Sequence, residues 1–352
     1  MSNLKMSDDL REKLSGGNGS VVVIAEISAN HGQDFGRAVE LIEKAKQCGA
    51  DAVKFQAYTP DTLTMDVHND HFQIDHPKWG GQTLYELYKK AYTPLDWLKD
   101  LKRIADDLAI TFLCTAFDKA GVDSLEDLDI CAHKIASFEL VDLALVEYAA
   151  STKKPLIMST GMADICEIKE SIDTARNAGV KEITLLKCVS SYPAKPEEMN
   201  LKTIPHMQEL FQCPVGLSDH SLGIGASVCA VALGAVVIEK HFTLSRTIET
   251  PDSFFSIEPK ELQNLVESIR IVEKALGNVY YGITDQEKKN LIFRRSLFAV
   301  NEIKEGEQFT ENNVRSIRPG YGLSPKHLKN ILGRIAREDI KAGTPLSWEL
   351  VK

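Results

Sequence analysis

The feature that most constrains the fold is a repeated alternation of short apolar runs with longer amphipathic segments. The short runs are rich in β-branched residues and are bounded by turn residues, a pattern typical of buried parallel strands. Eight runs are predicted as strands: 21–27, 52–57, 110–115, 133–137, 155–159, 182–188, 214–218 and 236–241. Eight parallel strands in alternation with helices form a TIM barrel of about 250 residues. The sequence therefore predicts an α/β fold with a (β/α)8 barrel.

The segments between these runs have the apolar spacing of amphipathic helices. The predicted helices are 36–47, 95–108, 142–151, 164–178, 198–211, 223–233 and 258–276. A longer insertion, 58–94, follows the second strand and is rich in aromatic and polar residues. We expect it to lie over the C-terminal mouth of the barrel, either as a packed surface loop or as a substrate lid.

The pattern changes near residue 285, where short strands, short helical patches and Gly-containing turns replace the long repeats. This predicts three parts: an N-terminal extension at 1–20, a barrel domain at 21–284 and a separate small domain at 285–352. A domain as small as the last is often only marginally stable alone.

Composition narrows the classes of partner. The net charge is -9, and no stretch supplies the clustered Lys and Arg that nucleic-acid binding needs. The first 20 residues are polar, and no later run approaches the roughly 20 apolar residues of a membrane span, so we expect neither a signal peptide nor a transmembrane helix. The seven scattered cysteines contain no CxxC pair, which fits a reducing cytoplasm.

Polar residues at the C-terminal ends of the predicted strands indicate an active site, because catalytic groups lie at that face of a TIM barrel. Buried charges cost several kcal/mol each unless they are paired or bound to a ligand, so a purely structural barrel is not expected to retain many. The strand ends carry, among others, Glu26, Lys54, Lys134, Glu239 and Lys240. This concentration predicts an enzyme.

His220 and His241 end the seventh and eighth predicted strands. Neighbouring strand ends let two imidazoles share a divalent ion while positions stay open for substrate and water. Two nitrogen ligands without a thiolate leave Mn²⁺ or Mg²⁺ as plausible as zinc. Glu26, on the first strand, is placed to bind the ion or a water on it.

Cationic and hydroxyl side chains on several other strand ends form a set suited to an anion. The members are Lys54, Thr115, Lys134, Ser137, Ser159 and Ser218. They fit a phosphate and a carboxylate held together. No GxGxxG fingerprint and no GxxxxGK[ST] loop opens a βα unit, which argues against dinucleotide and nucleoside triphosphate ligands.

Several motifs resemble those of the sialic acid synthase family over nearly the whole chain after residue 20. They are Ala25-Glu26 with Asn30-His31, Lys54-Phe55-Gln56, Lys134-Ile135-Ala136-Ser137, Ser159-Thr160-Gly161-Met162, Gly216-Leu217-Ser218-Asp219-His220 and Glu239-Lys240-His241-Phe242. Arg318-Pro319-Gly320 and a Gly-Arg step at 333–334 resemble the antifreeze-like (SAF) domain that follows the barrel in that family. The resemblance implies a domain-swapped homodimer in which Arg318 reaches the partner's active site.

The resemblance also implies a role for each site residue. It implies that Glu26, His220 and His241 are catalytic and that the two histidines bind the metal. It implies that phosphoenolpyruvate is held by Lys54, Gln56, Thr115, Lys134, Ser137, Ser159 and Ser218. It implies that the sugar is held by Glu139, Ser190, Tyr192, Asp252 and Arg318.

Two departures from the N-acetylneuraminate-forming pattern point to a different sugar: Ser190 replaces an Asn, and Pro251-Asp252-Ser253 replaces a Pro-Asp-His type sequence. Three segments look closest to the branch that condenses a 2,4-diacetamido-2,4,6-trideoxy-altrose with phosphoenolpyruvate to make pseudaminic acid. These segments are 58–64, 84–88 together with 91–94, and 318–323. The alternatives are synthesis of neuraminate or legionaminate, or a non-catalytic sugar-binding protein suggested by the antifreeze-like domain.

Overall fold

A computed structural model describes residues 10–14 and 20–352. The chain divides into two compact units, Met1–Gly277 and Asn278–Lys352. The boundaries predicted near residues 20 and 284 remain predictions. Within the described residues, no helix combines the length and the apolar character that crossing a bilayer requires.

The first unit is a closed barrel of eight parallel strands in the order β1 to β8. The strands are Val22–Glu26 (β1), Ala52–Ala57 (β2), Thr111–Ala116 (β3), His133–Ile135 (β4), Leu156–Ser159 (β5), Ile183–Cys188 (β6), Val215–Asp219 (β7) and Val237–His241 (β8). β1 closes the barrel by pairing with both β2 and β8. The predicted (β/α)8 fold is confirmed, because each apolar run forms a buried strand between two parallel neighbours.

Helices cover the outside of this barrel. Those of the first unit are Phe35–Gln47, Pro60–Leu63, Leu84–Ala91, Leu98–Asp107, Lys119–Asp127, Leu143–Ser151, Ile165–Asn177, Thr203–Phe211, Gly225–Ala232 and Pro259–Leu276, with 3-10 turns at Ser28–His31, Leu95–Trp97 and Pro196–Glu198. Helix Lys119–Asp127 was absent from the prediction. Asp118 starts it by accepting a hydrogen bond from the Gly121 amide, as an N-cap aspartate does.

Two apolar clusters fill the first unit. The larger one lies between the strands and the surrounding helices. The smaller one joins residues near the N-terminal ends of the strands, such as Ile24 and Val237, to Leu10 and Leu14 of a helical segment at 10–14. The Thr184 hydroxyl donates to the Leu14 carbonyl at 2.8 Å. The segment 10–14 therefore covers the end of the barrel opposite the predicted active site.

The insertion after β2 contains a hairpin, defined here as residues 72–84. The Leu84 amide donates to the Phe72 carbonyl at 2.9 Å, and the Ile74 amide donates to the Gln82 carbonyl at 3.1 Å. Thr83 then caps helix Leu84–Ala91, accepting from the Glu86 amide. The insertion is thus an ordered structure with its own hydrogen bonds.

The second unit contains an antiparallel pair, Ser296–Ala299 (β9) and Val314–Ile317 (β10). Its helices are Asp285–Lys288 and Leu328–Ile331, with 3-10 turns at Lys289–Phe293, Pro325–His327 and Trp348–Leu350. A separate core forms around Leu297, Phe309 and Ile331, all fully buried. The predicted change of architecture in the C-terminal part of the chain is therefore real.

Candidate active site

Eleven of the fifteen predicted site residues line one pocket at the C-terminal ends of the strands. They are Glu26, Lys54, Gln56, Thr115, Lys134, Ser137, Ser159, Tyr192, Ser218, His220 and His241. Ala136, Phe138, Cys188 and Glu239 line the same pocket, and of these only Glu239 is among the predicted strand-end charges. The strands bring these side chains together because the C-terminal ends of all eight strands meet at one face of the barrel.

Lys54 is the centre of one half of the pocket. Its Nζ lies 2.8 Å from Glu26 Oε2 and 3.7 Å from Glu239 Oε1, and it donates to Thr115 Oγ1 at 2.9 Å. Glu26 and Lys54 are register partners on β1 and β2. Burial lowers the Lys54 pKa, but Glu239 and Glu26 outweigh it and leave the pKa raised. Lys54 is therefore held as a cation.

Lys134 forms the other half. Its Nζ donates to Ser159 Oγ at 2.8 Å and lies 3.6 Å from Glu239 Oε1. Burial lowers the Lys134 pKa in spite of the nearby Glu239 charge. Two ammonium groups thus lie on either side of one carboxylate, with hydroxyls around them. This arrangement can exchange internal partners for an incoming dianion.

Glu239 is the residue that sequence reasoning left without a role. Its Oε1 accepts from Ser218 Oγ at 3.2 Å, and its Oε2 is buried without a hydrogen-bond partner. Alternation along β8 is the signal that could have identified it, because residues two apart on a strand share a face. Glu239 therefore points inward with His241, whereas Lys240 points outward.

Asp219 and Lys240 form a separate buried ion pair on that outward face. Their Oδ2 and Nζ atoms lie 2.9 Å apart, and the Ser221 hydroxyl donates to Asp219 Oδ1 at 2.6 Å. Burial alone would raise the Asp219 pKa, but Lys240 and the neighbouring hydroxyls lower it. This pair lies in the barrel wall, and neither residue lines the pocket.

The two histidine rings lie with their centroids 5.3 Å apart. His220 Nδ1 is 2.9 Å from the Val189 carbonyl. A carbonyl can only accept, so Nδ1 carries a proton and Nε2 is the ring nitrogen left for an ion. Burial lowers the His220 pKa, but the neighbouring Cys188 outweighs it and leaves the pKa raised, so the ring must give up any Nε2 proton before it binds an ion. His241 Nδ1 is buried without a hydrogen-bond partner, and burial together with the charge of protonated His220 holds the His241 pKa well below the usual range.

Two imidazoles in their neutral forms would fit a divalent ion whose other ligands are water and substrate oxygens. Across residues 10–14 and 20–352, no group of three or more His, Cys, Asp or Glu side chains is arranged to hold a metal ion. His241 Nδ1 is a buried nitrogen without a hydrogen-bond partner in the protein, which is what an ion-binding atom would leave.

Ser137 and Ser190 converge on Gly161, which follows β5. The Gly161 amide donates to Ser137 Oγ at 3.1 Å. A Cβ atom at Gly161 would lie 2.2 Å from Ser190 Oγ and 2.8 Å from Ser137 Oγ. Only glycine allows both hydroxyls to approach this turn. Ser190 does not itself line the pocket, but it lies 3.8 Å from the Cys188 sulfur, which does.

The residues predicted to bind the sugar are more dispersed. The Tyr192 ring lies 4.4 Å from the His220 ring, and Asp252 Oδ2 lies 3.7 Å from His241 Nδ1. Gln56, which was predicted to bind phosphoenolpyruvate, donates to Glu26 Oε1 at 2.7 Å. Glu139 follows β4 with its Oε2 buried and unpartnered, and burial raises its pKa to about 7. Arg318 lies exposed in the second unit.

Known proteins resemble this chain over most of its length. The NeuB family profile matches residues 41–281, and a SAF domain matches residues 294–352. The pseudaminic acid synthase of Helicobacter pylori is 43% identical over 326 residues, 92% of this chain and 96% of that protein. The pseudaminic acid synthase of Campylobacter jejuni serotype O:2 is 44% identical, covering 93% of this chain and 95% of that protein.

Among solved structures, an N-acetylneuraminic acid synthetase from Leptospira borgpetersenii superposes with a TM-score of 0.69 and 33% identity. The match covers 78% of this chain and 91% of that chain. These similarities agree with the resemblance to the sialic acid synthases drawn from the strand-end motifs. The chain therefore belongs to the NeuB family and carries a SAF domain in its C-terminal unit.

Proposed function

We propose that this protein is a pseudaminic acid synthase that condenses phosphoenolpyruvate with 2,4-diacetamido-2,4,6-trideoxy-altrose and water, releasing phosphate. The observation that carries the proposal is the pocket in which two buried lysines and several hydroxyls face two histidines. The 43 to 44% identity with pseudaminic acid synthases supports the choice of product.

Phosphoenolpyruvate carries a phosphate and a carboxylate a few ångströms apart. Lys54 and Lys134 supply two cations, and Thr115 and Ser159 bind them in the free pocket. The substrate's anionic oxygens would take over these hydrogen bonds, because charge-assisted bonds to ionised oxygens are the stronger ones. Ser137, Ser218 and Gln56 complete the proposed phosphoenolpyruvate site.

The proposed metal is Mn²⁺ or Mg²⁺, held by His220 and His241. When bound, such an ion acts as a Lewis acid that polarises the carbonyl oxygen of the open-chain sugar. The orientation of His220 depends on the Val189 carbonyl, which fixes the tautomer that leaves Nε2 available.

In the proposed reaction, the methylene carbon of phosphoenolpyruvate forms a bond to the aldehyde carbon, and the aldehyde oxygen becomes a hydroxyl by gaining a proton. Water adds to the former enol carbon and loses one proton to a base. The C–O bond to phosphate then breaks as the hydroxyl left by the water becomes the keto group, and the second proton of that water leaves with the phosphate. Glu26 is the proposed proton acceptor: burial raises its pKa, although Lys54 opposes the rise. Lys54 and Lys134 offset the charge on the departing phosphate.

The sugar is proposed to occupy the space between Tyr192, Asp252 and Glu139, with Ser190 behind the Gly161 turn. Glu139 has an unpartnered buried oxygen, so a sugar hydroxyl or amide would satisfy it. Asp252 lies beside His241, which would bring the sugar's polar groups close to the proposed metal. We also propose a cytoplasmic location; all seven cysteines are free thiols in the structure.

The experiment that tests the activity is phosphate release from phosphoenolpyruvate with a panel of amino-sugar aldehydes. The panel contains the altrose-type substrate, its gluco-type isomer for legionaminate, and N-acetylmannosamine for neuraminate. We expect the altrose-type sugar to give the highest kcat/KM. A preference for another aldehyde would show that the protein makes the corresponding product instead. No phosphate release with any sugar would favour a non-catalytic sugar-binding protein.

A domain-swapped homodimer with Arg318 acting in trans is part of the proposal. Co-expression of Arg318→Ala and His241→Ala chains tests it, because a mixed dimer then has one site with an intact histidine and the partner's intact arginine. Random mixing should restore about a quarter of the wild-type rate. No restoration would show that Arg318 does not act across the dimer.

A further inference from the structure

Trp79 lies at the tip of the hairpin and contacts two other loops of the barrel mouth. Its indole N–H donates to the Pro251 carbonyl at 2.7 Å, in the loop after β8. Its ring lies 5.6 Å from the Tyr192 ring, in the loop after β6. One side chain thus joins segments that follow three different strands.

The surroundings of Trp79 fix its position within the hairpin. The His76 ring stacks on the indole at 4.4 Å, and His76 Nδ1 accepts from the Trp79 amide at 3.3 Å. Gln82 Nε2 donates to the Trp79 carbonyl at 3.1 Å. The backbone and the ring of Trp79 are therefore both held, so the indole is a rigid anchor.

A series of aromatic contacts connects Trp79 with the two histidines of the pocket. Tyr192 packs at 4.4 Å on His220 and at 5.1 Å on Phe255, and Phe255 packs at 4.7 Å on His241. Phe254, next along the same loop, contacts Trp79 edge to face at 6.0 Å. Aromatic pairs with these geometries attract each other beyond the effect of the area they bury. The orientation of Tyr192 is thus coupled to the position of the hairpin.

We propose that Trp79 is a positioning residue for the sugar side of the active site: it holds the hairpin against the loop after β8 and fixes Tyr192 beside His220. The inference rests on the proposed function of the pocket. Lys54 and Lys134, the lysines of the phosphoenolpyruvate side, make their contacts with residues of β1, β3, β5 and β8 and have none with Trp79 among the interactions described. Trp79 should therefore affect the sugar and leave phosphoenolpyruvate binding unchanged.

Three variants of the full chain separate these roles. Trp79→Ala removes both the ring and the hydrogen bond, and we expect the KM for the sugar to rise about tenfold or more, because small misplacements of positioning groups have large effects. Trp79→Phe keeps a ring but leaves the Pro251 carbonyl without its donor, and should give an intermediate KM. Lys78→Ala is the matched control on the same hairpin, since it removes only the ammonium 5.8 Å from the Phe254 ring centroid.

Two further measurements make the outcome decisive. Phosphoenolpyruvate affinity, measured by calorimetry, should stay within about twofold of wild type in all three variants. Amide hydrogen exchange of the free protein should become faster in residues 72–84 and 189–194 of Trp79→Ala, and not in Lys78→Ala. Unchanged exchange, an unchanged sugar KM or an equal loss of affinity for both substrates would overturn the role of Trp79.

Failure of the proposed function would give results that differ from failure of the inference about Trp79. If wild-type protein released no phosphate with any sugar in the panel, that function would be wrong. The exchange experiment would still decide whether Trp79 anchors the hairpin and the Tyr192 loop. If wild type turns over and Trp79→Ala matches it in sugar KM and in exchange, the inference about Trp79 alone is wrong.

Discussion

The ammonium of Lys54 lies 2.8 Å from the carboxylate of Glu26, and both side chains are buried on neighbouring strands. A buried ion pair is weak support for stability, because desolvation offsets most of the attraction. Its position at the mouth of a barrel, beside a second lysine and a second carboxylate, fits the proposed binding of an anionic substrate.

Lys54→Met should therefore have two effects. It leaves Glu26 and Glu239 buried without their shared cation, which should lower the free energy of unfolding by about 3–5 kcal/mol. It should also abolish phosphoenolpyruvate binding measured by calorimetry. Lys187→Met is the matched control, since the half-buried Lys187 donates only to the Cys188 carbonyl among the contacts described. Wild-type phosphoenolpyruvate affinity in Lys54→Met would contradict the assignment.

His241→Ala should abolish turnover and weaken metal binding. The first readout is phosphate release in protein freed of metal by a chelator and reloaded with Mn²⁺ or Mg²⁺. The second is the metal affinity from titration calorimetry, which does not depend on activity. His206→Ala, on helix Thr203–Phe211 and away from the pocket, should behave like wild type in both. A near-normal rate without bound metal would rule out the proposed role of the two histidines.

Gly161→Ala should displace the hydroxyls of Ser137 and Ser190. The added methyl would meet both oxygens at less than 3 Å, so the two side chains must turn away from the site. We expect the KM for phosphoenolpyruvate to rise about tenfold or more, because Ser137 lines its proposed site. Gly225→Ala offers a control, as a Cβ there meets nothing within 4 Å. Equal kinetics for the two variants would contradict this prediction.

Glu139 should make stability depend on pH. Burial raises its pKa in the folded protein to about 7 from 4.5, so the folded state binds this proton more tightly than the unfolded state. The resulting stabilisation is fully present below pH 4.5. It is lost as the pH rises through 7, and the free energy of unfolding then falls by on the order of 3 kcal/mol. In urea unfolding, Glu139→Gln should gain stability relative to wild type between pH 5 and pH 8. The exposed Glu40→Gln should follow the wild-type profile.

The strands could be predicted because a buried parallel strand has a purely local signature. Val22–Glu26 and Val237–His241 are short apolar runs between turns, and their pairing follows from barrel closure. Helix Lys119–Asp127 escaped prediction because only Gly121, Val122 and Leu125 are buried in it. So short an apolar face gives little periodicity to detect.

The residues that line the pocket could be predicted for a similar reason, because residues at the C-terminal ends of the strands must converge in this fold. The direction in which each side chain points was harder to predict. Glu239 and Lys240 are adjacent polar residues in the sequence, and only the register of β8 sends one to the pocket and the other to Asp219.

Contacts between distant loops could not be predicted at all. Trp79 and Pro251 are separated by 172 positions, and no pattern near either residue encodes their hydrogen bond. The same holds for Leu14, whose carbonyl meets Thr184 across 170 positions. Such contacts depend on the completed barrel.

Leu14→Ala should destabilise the barrel from the end opposite the active site. The side chain is 2% exposed and belongs to the smaller apolar cluster of the first unit. Its truncation should lower the free energy of unfolding, measured in urea, by about 2–4 kcal/mol. Leu276→Ala is the control, with a side chain that is 53% exposed. Kinetic constants measured well below the melting temperature should not change, and a loss of kcat without a loss of stability would contradict a purely structural role.

The segment 10–14 also has a consequence for synthesis on the ribosome. Its apolar cluster includes Val237 of the last barrel strand, which is polymerised about 220 residues after Leu14. At roughly 5–20 residues per second, the two leucines wait on the order of ten seconds or more before their final partner emerges. Leu10 and Leu14 therefore stay without their complete apolar cluster until the last barrel strand has been made.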